Sequence, residues 1–567
     1  MNKTPHRRYR TLKRILVTAL ILVFIFAVYF LAAIHLSTPD IADRSIEKTE
    51  PKTVAPGLLK MNNSWLKKSN SGLWEMYIEG DGFERGVTVG KLTKQLAELQ
   101  EIIFINQIKE LVPSEGYLNF LKYFVAYFNR KVPEHITKEY LDEIYGVSLS
   151  AYDYYDRMAP KYYRILNYHS AHDIGHALQD KNMTVGCTSF GVWNSKTKDG
   201  KMLIGRNFDF FAGDAFAVNK IVCFTKPTKG NKFMYVTWSG FTGVVSGMND
   251  KGLTVTINAA KSEIPKSAAT PISILAKEIL QYAGNISEAY AIAQKRQTFV
   301  SESILIGSTA DKGAAIIEKT PGKTNLYSEK GDQLICSNHF MSDNFKDDYI
   351  NNKNIVESSS LYREFRMKQL LAATPAFTPE DVAAVLRNQK GIDGREIGLT
   401  NEKGINQLIA HHAVIFKPED GLAWVSTAPY QCGQFVCYDL NKVFKEAPGL
   451  SENKEIKDED KTIAADAFLS SGQYKNFILF KKIKNYLQFC TKSRFDLIVQ
   501  DNIIAGFIKS NPDSYLTYQV LGDYYAKVKD KKQAAAYYTL ALSKEIATVK
   551  EERQIKESIA ALEKKKQ

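Results

Sequence analysis

This chain of 567 residues has little cysteine and lacks the cysteine spacings that form disulfide frameworks or zinc sites. Its six cysteines stand at 187, 223, 336, 432, 437 and 490, with no Cys-x-x-Cys pair. A chain of this length buries a large core, so it does not need disulfides to hold it together. Cys432 and Cys437 are the closest in sequence and are the first candidates for a disulfide.

The sequence also lacks the signatures of nucleic-acid binding. Its net charge is +13, but residues 1–14 carry six basic side chains and no acidic one, so about half of the excess belongs to this tail. We find no zinc finger, recognition helix or interleaved aromatic and basic pattern. A nucleic-acid partner is therefore not expected.

A single long apolar run is present at residues 15–36, and none of its 22 positions is Asp, Glu, Lys or Arg. A helix rises about 1.5 Å per residue, so this run can cross a hydrocarbon core of about 30 Å. A signal peptide is the alternative, but its apolar core usually spans about 7–15 residues. The sequence predicts an uncleaved anchor at 15–36, with the tail 1–14 cytoplasmic and the remainder periplasmic or extracellular.

Composition divides the remaining chain into four segments. Residues 37–60 are polar and proline-containing, as is typical of a linker. Residues 61–186 begin with a strand-like run and continue into helices, and residues 187–450 alternate strand and helix patterns. Residues 451–567 begin with a charged, linker-like stretch and then become helical.

The helical C-terminal region resembles one tetratricopeptide repeat unit, a paired-helix motif. The matching residues are Tyr518, Leu521, Gly522, Tyr525, Ala534, Tyr538 and Ala541, and Ile546 stands where the motif ends in Pro. One such unit cannot bury its own apolar face, so it must pack on residues 462–510 or on the preceding domain. Its role is either structural or the binding of a protein partner.

The segment from Gly186 to Asp209 is the most informative. It predicts a strand, a turn at 199–200 and a return strand that carries Arg206. If the bond before Cys187 is cut, that residue gains an α-amine with a pKa of about 8, which can serve as the base for its own thiol. Gly186 suits such a bond because glycine tolerates a strained backbone.

The run from Cys187 to Asp209 resembles the cysteine N-terminal-nucleophile (Ntn) hydrolases. It is most similar to the autoproteolytic acyl-coenzyme A:6-aminopenicillanic acid acyltransferase group, and more distantly to choloylglycine (bile-salt) hydrolases. The resemblance covers about residues 73–440 and implies an α+β fold, a four-layer αββα sandwich. It also implies that residues 61–186 are a pro-segment that stays as a smaller chain after self-cleavage, and that no cofactor or metal is needed.

By the same resemblance, Cys187 attacks the Gly186 carbonyl, water resolves the ester, and the freed thiol then forms a thioester with an acyl group from a linear amide. Arg206 and Asp209 match the active-site Arg and Asp of the family. A guanidinium near a thiol favours the thiolate, and a carboxylate would hold the new ammonium. The competing interpretation is an ordinary ion pair across a hairpin.

Further site residues follow from the resemblance. Asn258, at a strand end, matches the asparagine that donates to the oxyanion, and Asn338 matches one that binds the nucleophile's amine or the substrate. Each could instead be a strand-end cap. Arg363 or Arg366 matches a substrate-binding arginine; the spacing does not decide between them, and we place Arg363 first.

Aromatic residues near the nucleophile could line an apolar acyl pocket or simply fill the strand core. They are Phe190, Trp193, Phe208, Phe210 and Phe211. His411 and His412, which precede a predicted strand, could also line that pocket. No acyl-carrier or nucleotide motif is visible, so hydrolysis is favoured over acyl transfer.

The sequence thus favours a membrane-anchored amidohydrolase or acyltransferase for a small-molecule acyl amide. One alternative is a catalytically silent, tethered scaffold whose helical tail recruits a partner. Another is a metal-dependent hydrolase built on His169, His172 and His176, the last two being one helical turn apart. The sequence identifies neither the acyl group nor the amine.

Overall fold

The computed structural model describes residues 5–111, 114–177, 186–263, 268–451 and 454–564, and all statements below concern these. Their strands, numbered along the chain, are β1 (Lys52–Ala55), β2 (Leu58–Met61), β3 (Ser64–Lys68), β4 (Trp74–Gly80), β5 (Thr188–Val192), β6 (Leu203–Phe208), β7 (Ile221–Pro227), β8 (Phe233–Thr237), β9 (Ser246–Asn249), β10 (Leu253–Ala259), β11 (Glu302–Ser308), β12 (Gly313–Lys319), β13 (Thr324–Tyr327), β14 (Gln333–Cys336), β15 (His412–Lys417), β16 (Leu422–Ser426), β17 (Phe435–Asp439) and β18 (Asp458–Ile463).

The α-helices of the described residues are α1 (Pro5–Ala33), α2 (Gly82–Leu92), α3 (Lys94–Leu111), α4 (Glu115–Asn129), α5 (Lys138–Ser148), α6 (Lys161–Ala177), α7 (Ile272–Tyr282), α8 (Ile286–Lys295), α9 (Tyr349–Glu357), α10 (Ser360–Ala373), α11 (Pro379–Leu386), α12 (Leu440–Glu446), α13 (Gly472–Lys492), α14 (Asp501–Ser510), α15 (Tyr515–Lys527), α16 (Lys531–Leu542) and α17 (Val549–Lys564).

The strands form two sheets. The larger has the order β1-β2-β3-β4-β7-β8-β9-β10-β11-β12-β13, and the smaller has the order β14-β5-β6-β15-β16-β17-β18. Neighbouring strands run antiparallel except for β4 and β7, which are parallel. Because β4 precedes the proposed cleavage point and β7 follows it, residues 61–186 contribute to the larger sheet and are not a separate helical unit.

Apolar side chains define the layers. One buried cluster lies between the sheets, where Val222 and Met234 of the larger sheet share a core with Ile204 and Val414 of the smaller. The outer face of the larger sheet packs on helices α2, α5, α6, α7 and α8. Helices α10 and α11 cover the outer face of the smaller sheet. The expected mixed α+β fold is therefore confirmed.

Two expected linkers are wrong in part. Residues 37–60 contain β1 and most of β2, at one edge of the larger sheet, and residues 458–463 form β18 at an edge of the smaller sheet, so the folded core extends past 450. Both segments are polar or charged, which suggested a linker. Charged side chains are also common on edge strands, where they discourage pairing with another chain.

The N-terminal apolar run is helical. Within the described residues, Leu12–Ala33 is the one stretch long and apolar enough to cross a membrane, and its side chains are exposed. Helix α1 ends at Ala33, before the predicted limit at residue 36. The ring of Phe30 stacks on Tyr127 of α4 with 5.5 Å between centroids. This helix is consistent with either a membrane anchor or a signal sequence.

The C-terminal region forms five helices, α13–α17, within the described residues. The repeat-like residues lie on α15 and α16, where Gly522 faces the Tyr538 ring so closely that a Cβ would lie 2.5 Å from it. The pair packs on α13 and α14 and also reaches the core, where Asn401 donates to the Glu545 carbonyl at 2.7 Å. The identity of this pair as a tetratricopeptide repeat stays a prediction.

All six cysteines are free thiols and all are buried. The suggested Cys432–Cys437 disulfide is therefore wrong. Cys437 on β17 faces the apolar layer beneath α11, whereas Cys432 packs near Phe477 of the C-terminal region. Closeness in sequence did not bring the two sulfur atoms together, because the intervening turn directs the side chains into different clusters.

Candidate active site

The site lies at the end of a three-strand arrangement in the smaller sheet. The predicted hairpin is present as β5 and β6, in which Ser189 is paired with Arg206. β14 pairs with the other side of β5, placing Cys336 opposite Ser189. Cys187 therefore stands just before the first residue of β5, where the ends of β6 and β14 also meet.

Cys187 is buried, with 1% of its surface exposed, and its closest charged partner is Arg206. The Nη2 atom of Arg206 lies 3.7 Å from the Sγ atom. Burial raises the pKa of the Cys187 thiol to about 11, although the Arg206 cation acts in the opposite direction. The uncut chain therefore holds a protonated thiol beside a group that favours the thiolate.

Arg206 is held rigidly beneath the thiol. Its Nη1 atom donates to the Val245 carbonyl at 3.0 Å and to Ser246 Oγ at 2.5 Å, and Nη2 also donates to the Ile257 carbonyl. The guanidinium lies 4.3 Å from the centre of the Phe208 ring. These contacts fix its position, so the cation is already in place before any substrate binds.

Asp209 follows β6 and is buried beside Gly186. The Gly186 amide donates to the Asp209 carbonyl at 3.4 Å. Neither carboxylate oxygen accepts a hydrogen bond from the described part of the chain. Burial raises the pKa of this carboxyl to about 7, against the opposing effect of Arg363 and Arg206. An ammonium nearby would satisfy such a carboxylate.

Arg363, on α10, clamps the backbone around the nucleophile. Its Nη1 atom donates to the carbonyl oxygens of Gly186 at 2.9 Å and Cys187 at 2.8 Å, and to Thr188 Oγ1 at 2.6 Å. Arg366 points elsewhere and bonds to Asn388. The structure thus brings Arg363, and not Arg366, to the site; its role in binding substrate stays a prediction.

The two predicted asparagines both lie in the same buried region. Asn338 accepts from Arg363 Nη2 at 2.6 Å and donates to the Ala259 carbonyl at 2.8 Å. Asn258, near the end of β10, donates to the Cys336 carbonyl at 2.8 Å. The same Nδ2 atom lies 3.4 Å from the Ser337 carbonyl, so the amide is engaged with backbone, and a role as oxyanion donor would require one of these bonds to be exchanged.

Sequence reasoning missed Gln407 and Ser246. Gln407 donates from Nε2 to the Gly186 carbonyl at 2.8 Å, across 221 residues of sequence. Ser246 contacts both Arg206 and His412, whose Nε2 lies 2.9 Å from the Ser246 oxygen. No local motif marks either residue.

Of the three histidines considered as an alternative metal site, the structure describes the side chain of His169. His169 is buried, with Nδ1 2.8 Å from the Ile165 carbonyl and Nε2 accepting from the Thr242 amide at 2.9 Å. Both ring nitrogens are thus occupied by protein groups. The side chains of His172 and His176 lie outside the described residues.

A small, mainly aromatic cavity of about 60 Å³ lies next to this region. Phe104 and Tyr168 line it from the segment before Cys187, and Phe210, Phe216 and Trp238 line it from the segment after. Phe210 directly follows Asp209 and stacks on Phe208 at 5.6 Å. By contrast, the predicted pocket residues Phe190 and Trp193 belong to the buried cores of the sandwich.

His411 packs against the edge of that aromatic group. Its ring centre lies 5.2 Å from Trp238 and 5.7 Å from Phe216. Its Nδ1 atom lies 2.9 Å from Nδ1 of His412. A chain of contacts therefore runs from the aromatic residues of the cavity through His411 and His412 to Ser246, which accepts a hydrogen bond from Arg206.

Comparison with known proteins finds a family match for part of this chain. The family model for acyl-coenzyme A:6-aminopenicillanic acid acyl-transferase matches residues 195–428. An uncharacterized protein of Archaeoglobus fulgidus is 26% identical over 284 residues, which are 46% of this chain and 45% of the relative. The alignment thus spans less than half of that relative's length.

Solved structures give more distant likenesses. The Caenorhabditis elegans orthologue of N-acylethanolamine-hydrolyzing acid amidase is 16% identical with a TM-score of 0.30, covering 41% of this chain and 93% of its own. Penicillin V acylase from Agrobacterium tumefaciens is 15% identical with a TM-score of 0.28, covering 43% and 83%. A conjugated bile acid hydrolase variant from Clostridium perfringens is 13% identical with a TM-score of 0.30, covering 45% and 93%.

The matched segment begins just beyond Gly186 and Cys187 and contains the other five predicted site residues: Arg206, Asp209, Asn258, Asn338 and Arg363. The sequence match, rather than the distant structural likenesses, therefore carries the assignment. The model of the acyl-coenzyme A:6-aminopenicillanic acid acyl-transferase family matches residues 195–428, which supports the Ntn-hydrolase resemblance over that segment, and the segment begins after Cys187.

Proposed function

We propose that this chain is an amidohydrolase or acyltransferase that activates itself by cutting the Gly186–Cys187 bond. The observation that carries the proposal is the environment of Cys187, whose sulfur lies 3.7 Å from Arg206 while the preceding carbonyl accepts from Arg363 at 2.9 Å. Nucleophile, cation and scissile carbonyl are thus assembled in one buried place. The same four-layer αββα arrangement as in Ntn hydrolases is part of the proposal.

Cleavage would change the chemistry of the site. The new α-amine of Cys187 has an ordinary pKa of about 8 and would serve as base for its own thiol. Asp209, buried without a hydrogen-bond donor among the described residues, would accept from that ammonium. In turnover the thiol would attack an amide carbonyl, form an acyl thioester and release the amine. Water would then release the acid.

The cavity indicates the chemistry of the substrate. Its aromatic lining matches an apolar acyl or aryl group, although its volume of about 60 Å³ would have to increase before such a group could enter. Glu101, the charged residue in the lining, is already paired with Arg164 at 3.0 Å, so it does not demand a cationic ligand. Because the walls come from both sides of Cys187, and β4 stays in the sheet beside β7, the two chains are expected to remain together after cleavage.

We also propose that α1 remains as a membrane anchor, with the catalytic domain outside the cytoplasm. The contact of Phe30 with Tyr127 supports retention, since this helix packs on the folded domain. Helix α4 exposes further aromatic residues beside it, including Tyr117, Phe120 and Phe124. Aromatic side chains of this kind are enriched at membrane interfaces.

The test is to purify the full chain in detergent and measure its intact mass and its hydrolysis of acyl-amino acids, bile-acid conjugates and β-lactams. We expect two chains, the second beginning at Cys187, and release of an amine from at least one substrate class. Cys187→Ala should remain a single chain without activity. A wild-type protein that is folded, uncut and inactive would instead fit the silent scaffold and refute the proposal.

A further inference from the structure

The carbonyl oxygen of Gly186 is held by two donors in the uncut chain. Arg363 Nη1 lies 2.9 Å from it, and Gln407 Nε2 lies 2.8 Å from it. Both side chains are buried, with 1% of each residue exposed. This oxygen belongs to the carbonyl that Cys187 must attack if the chain cleaves itself.

We propose that Gln407, together with Arg363, is the oxyanion site of the self-cleavage reaction. The inference rests on the proposed autoproteolysis and adds a catalytic residue to it. Backbone and side-chain amide donors that face a developing oxyanion typically lower the barrier because they are in place before charge appears. Here both donors already point at the oxygen in the ground state.

The reaction balances without an external reagent other than water. The Cys187 thiol loses its proton, its sulfur bonds to the Gly186 carbon, and the carbonyl oxygen becomes the oxyanion held by Gln407 and Arg363. Collapse breaks the carbon–nitrogen bond, and the nitrogen takes up the proton as the new α-amine. Water then hydrolyses the thioester, which leaves a carboxylate on Gly186 and regenerates the thiol.

The backbone on either side of Gln407 is held by hydrogen bonds, and its side chain bonds the Gly186 carbonyl. The side-chain oxygen of the preceding Asn406 accepts from the Leu408 backbone amide at 2.9 Å. The Asn406 backbone amide donates to the Asn388 carbonyl at 2.8 Å. The turn requires Leu408 to adopt a positive φ of 55°. A glutamine held in this way loses little entropy when it binds a transition state.

Gly186 and Gln407 also fit each other sterically. A Cβ atom on residue 186 would lie 2.5 Å from Nε2 of Gln407. Any larger residue would therefore push the donor away from the carbonyl. This gives the glycine before the nucleophile a specific role, which is to let the amide of Gln407 approach the scissile bond.

Asn258 is engaged elsewhere in the uncut chain, because its Nδ2 atom donates to the carbonyl oxygens of Cys336 at 2.8 Å and Ser337 at 3.4 Å. We therefore assign self-cleavage to Gln407 and Arg363. The predicted oxyanion role of Asn258 would concern later turnover of the amide substrate. The two reactions can then be separated by mutation.

The experiment follows the conversion of full-length precursor into two chains on denaturing gels and by intact mass. Gln407→Met keeps the side-chain length but removes the donor, and we expect cleavage to slow about 10²–10³-fold, as for loss of one oxyanion donor. The matched control is Gln431→Met, a buried glutamine that bonds the Leu386 carbonyl and should cleave normally. Hydroxylamine, which traps a thioester, should not restore the Gln407→Met rate, since the step before the thioester is impaired.

A second variant keeps the test decisive if Gln407→Met folds poorly. Gln407→Glu presents a carboxylate near the oxyanion at high pH and a neutral donor at low pH. The ratio of its cleavage rate to the wild-type rate should rise as pH falls from about 8 to about 5. A purely structural role would not produce that dependence.

The outcomes separate the two proposals. If the wild type cleaves and Cys187→Ala does not, but both Gln407 variants cleave within about twofold of wild type at every pH, the oxyanion role of Gln407 is wrong and self-cleavage stands. If the wild type itself stays uncut, autoproteolysis fails and the role of Gln407 fails with it. Slow cleavage of Gln407→Met with normal Gln431→Met supports the inference.

Discussion

Two buried groups of charged residues differ in how completely they are paired. On the helical side, Glu143 accepts from Arg85 at 2.9 Å through one oxygen and from Lys277 at 2.6 Å through the other. Near the nucleophile, Asp209 lies close to two arginines, yet neither of its oxygens accepts a hydrogen bond from the described residues.

The difference in pairing changes the pKa values of the two carboxyl groups. Burial opposes the charge on Glu143, but Lys277 and Arg85 together hold its pKa below the usual value. Burial dominates at Asp209 and raises its pKa to about 7. Burial of charge therefore does not by itself mark a functional site. Asp209 differs because its carboxylate has no donor among the described residues and would accept from the ammonium that the proposed cleavage creates.

The largest effect should come from the nucleophile. Cys187→Ala should abolish self-cleavage and lower any amidase activity on the order of 10⁴-fold or more, because both steps need the sulfur. Cys223→Ala is the matched control, since this thiol is also buried and has its pKa raised to about 11. Loss of cleavage in both variants, with folding intact, would contradict the special position of Cys187.

The fully paired cluster should matter for stability. Glu143→Ala leaves Arg85 and Lys277 buried without their shared carboxylate, and we expect unfolding to become easier by about 3–5 kcal/mol. Thermal melting of the Cys187→Ala precursor with and without this change measures it. A loss below about 1 kcal/mol would mean that water or another group replaces the carboxylate.

Removing the charge of Asp209, the incompletely paired carboxyl, should increase stability rather than decrease it. A folded-state pKa near 7, above the ordinary value of 3.8, means that the native Asp209 binds more protons than the unfolded chain between these values. Its contribution to stability therefore falls as pH rises from about 4 to about 7 and then stays constant. In the Cys187→Ala background, Asp209→Asn should be more stable at pH 8 than its parent, by at most about 4 kcal/mol, and the difference should vanish near pH 4.

Thermal melting across that pH range checks this prediction. Asp153→Asn, at an exposed position, serves as the control for general charge effects. Buried Glu75, whose pKa is also raised to about 7, keeps part of the wild-type pH dependence in every variant. An Asp209→Asn variant that is less stable than its parent at pH 8 would show that the carboxylate has a stabilising partner.

An exposed ion pair should contribute least. Lys138 donates to Asp142 at 2.8 Å, and the lysine side chain is 67% exposed. Solvent screens such a pair, so Lys138→Ala should change the free energy of unfolding by at most about 0.5 kcal/mol. The same melting assay measures it, and a change above about 1 kcal/mol, the usual upper range for exposed pairs, would mean that the lysine has a further role, through its bond to the Asp40 carbonyl.

Much of the hairpin at the candidate site could be predicted from sequence. Alternating apolar residues and a turn predict the strand that begins at Thr188 and the return strand that contains Arg206 and ends just before Asp209. Arg363 could be named through the resemblance to the family, but its choice over Arg366 could not. That choice depends on how α10 is oriented over β5, which local sequence does not encode.

Other features depend on contacts between distant residues. Gln407 reaches Gly186 across 221 positions, and no periodicity or motif signals this. The edge strands β1 and β18 have a charged composition that resembles solvent-exposed coil, so sequence alone predicts linkers there. Their pairing is decided by the neighbouring strands, so it becomes visible only in the assembled sheet.

The central claim is that Cys187 becomes the first residue of a new chain. N-terminal sequencing of the larger chain, isolated from active full-length protein, tests it most directly. The account predicts that sequencing begins Cys-Thr-Ser-Phe-Gly. Active protein in which Cys187 is still bonded to Gly186 would contradict it.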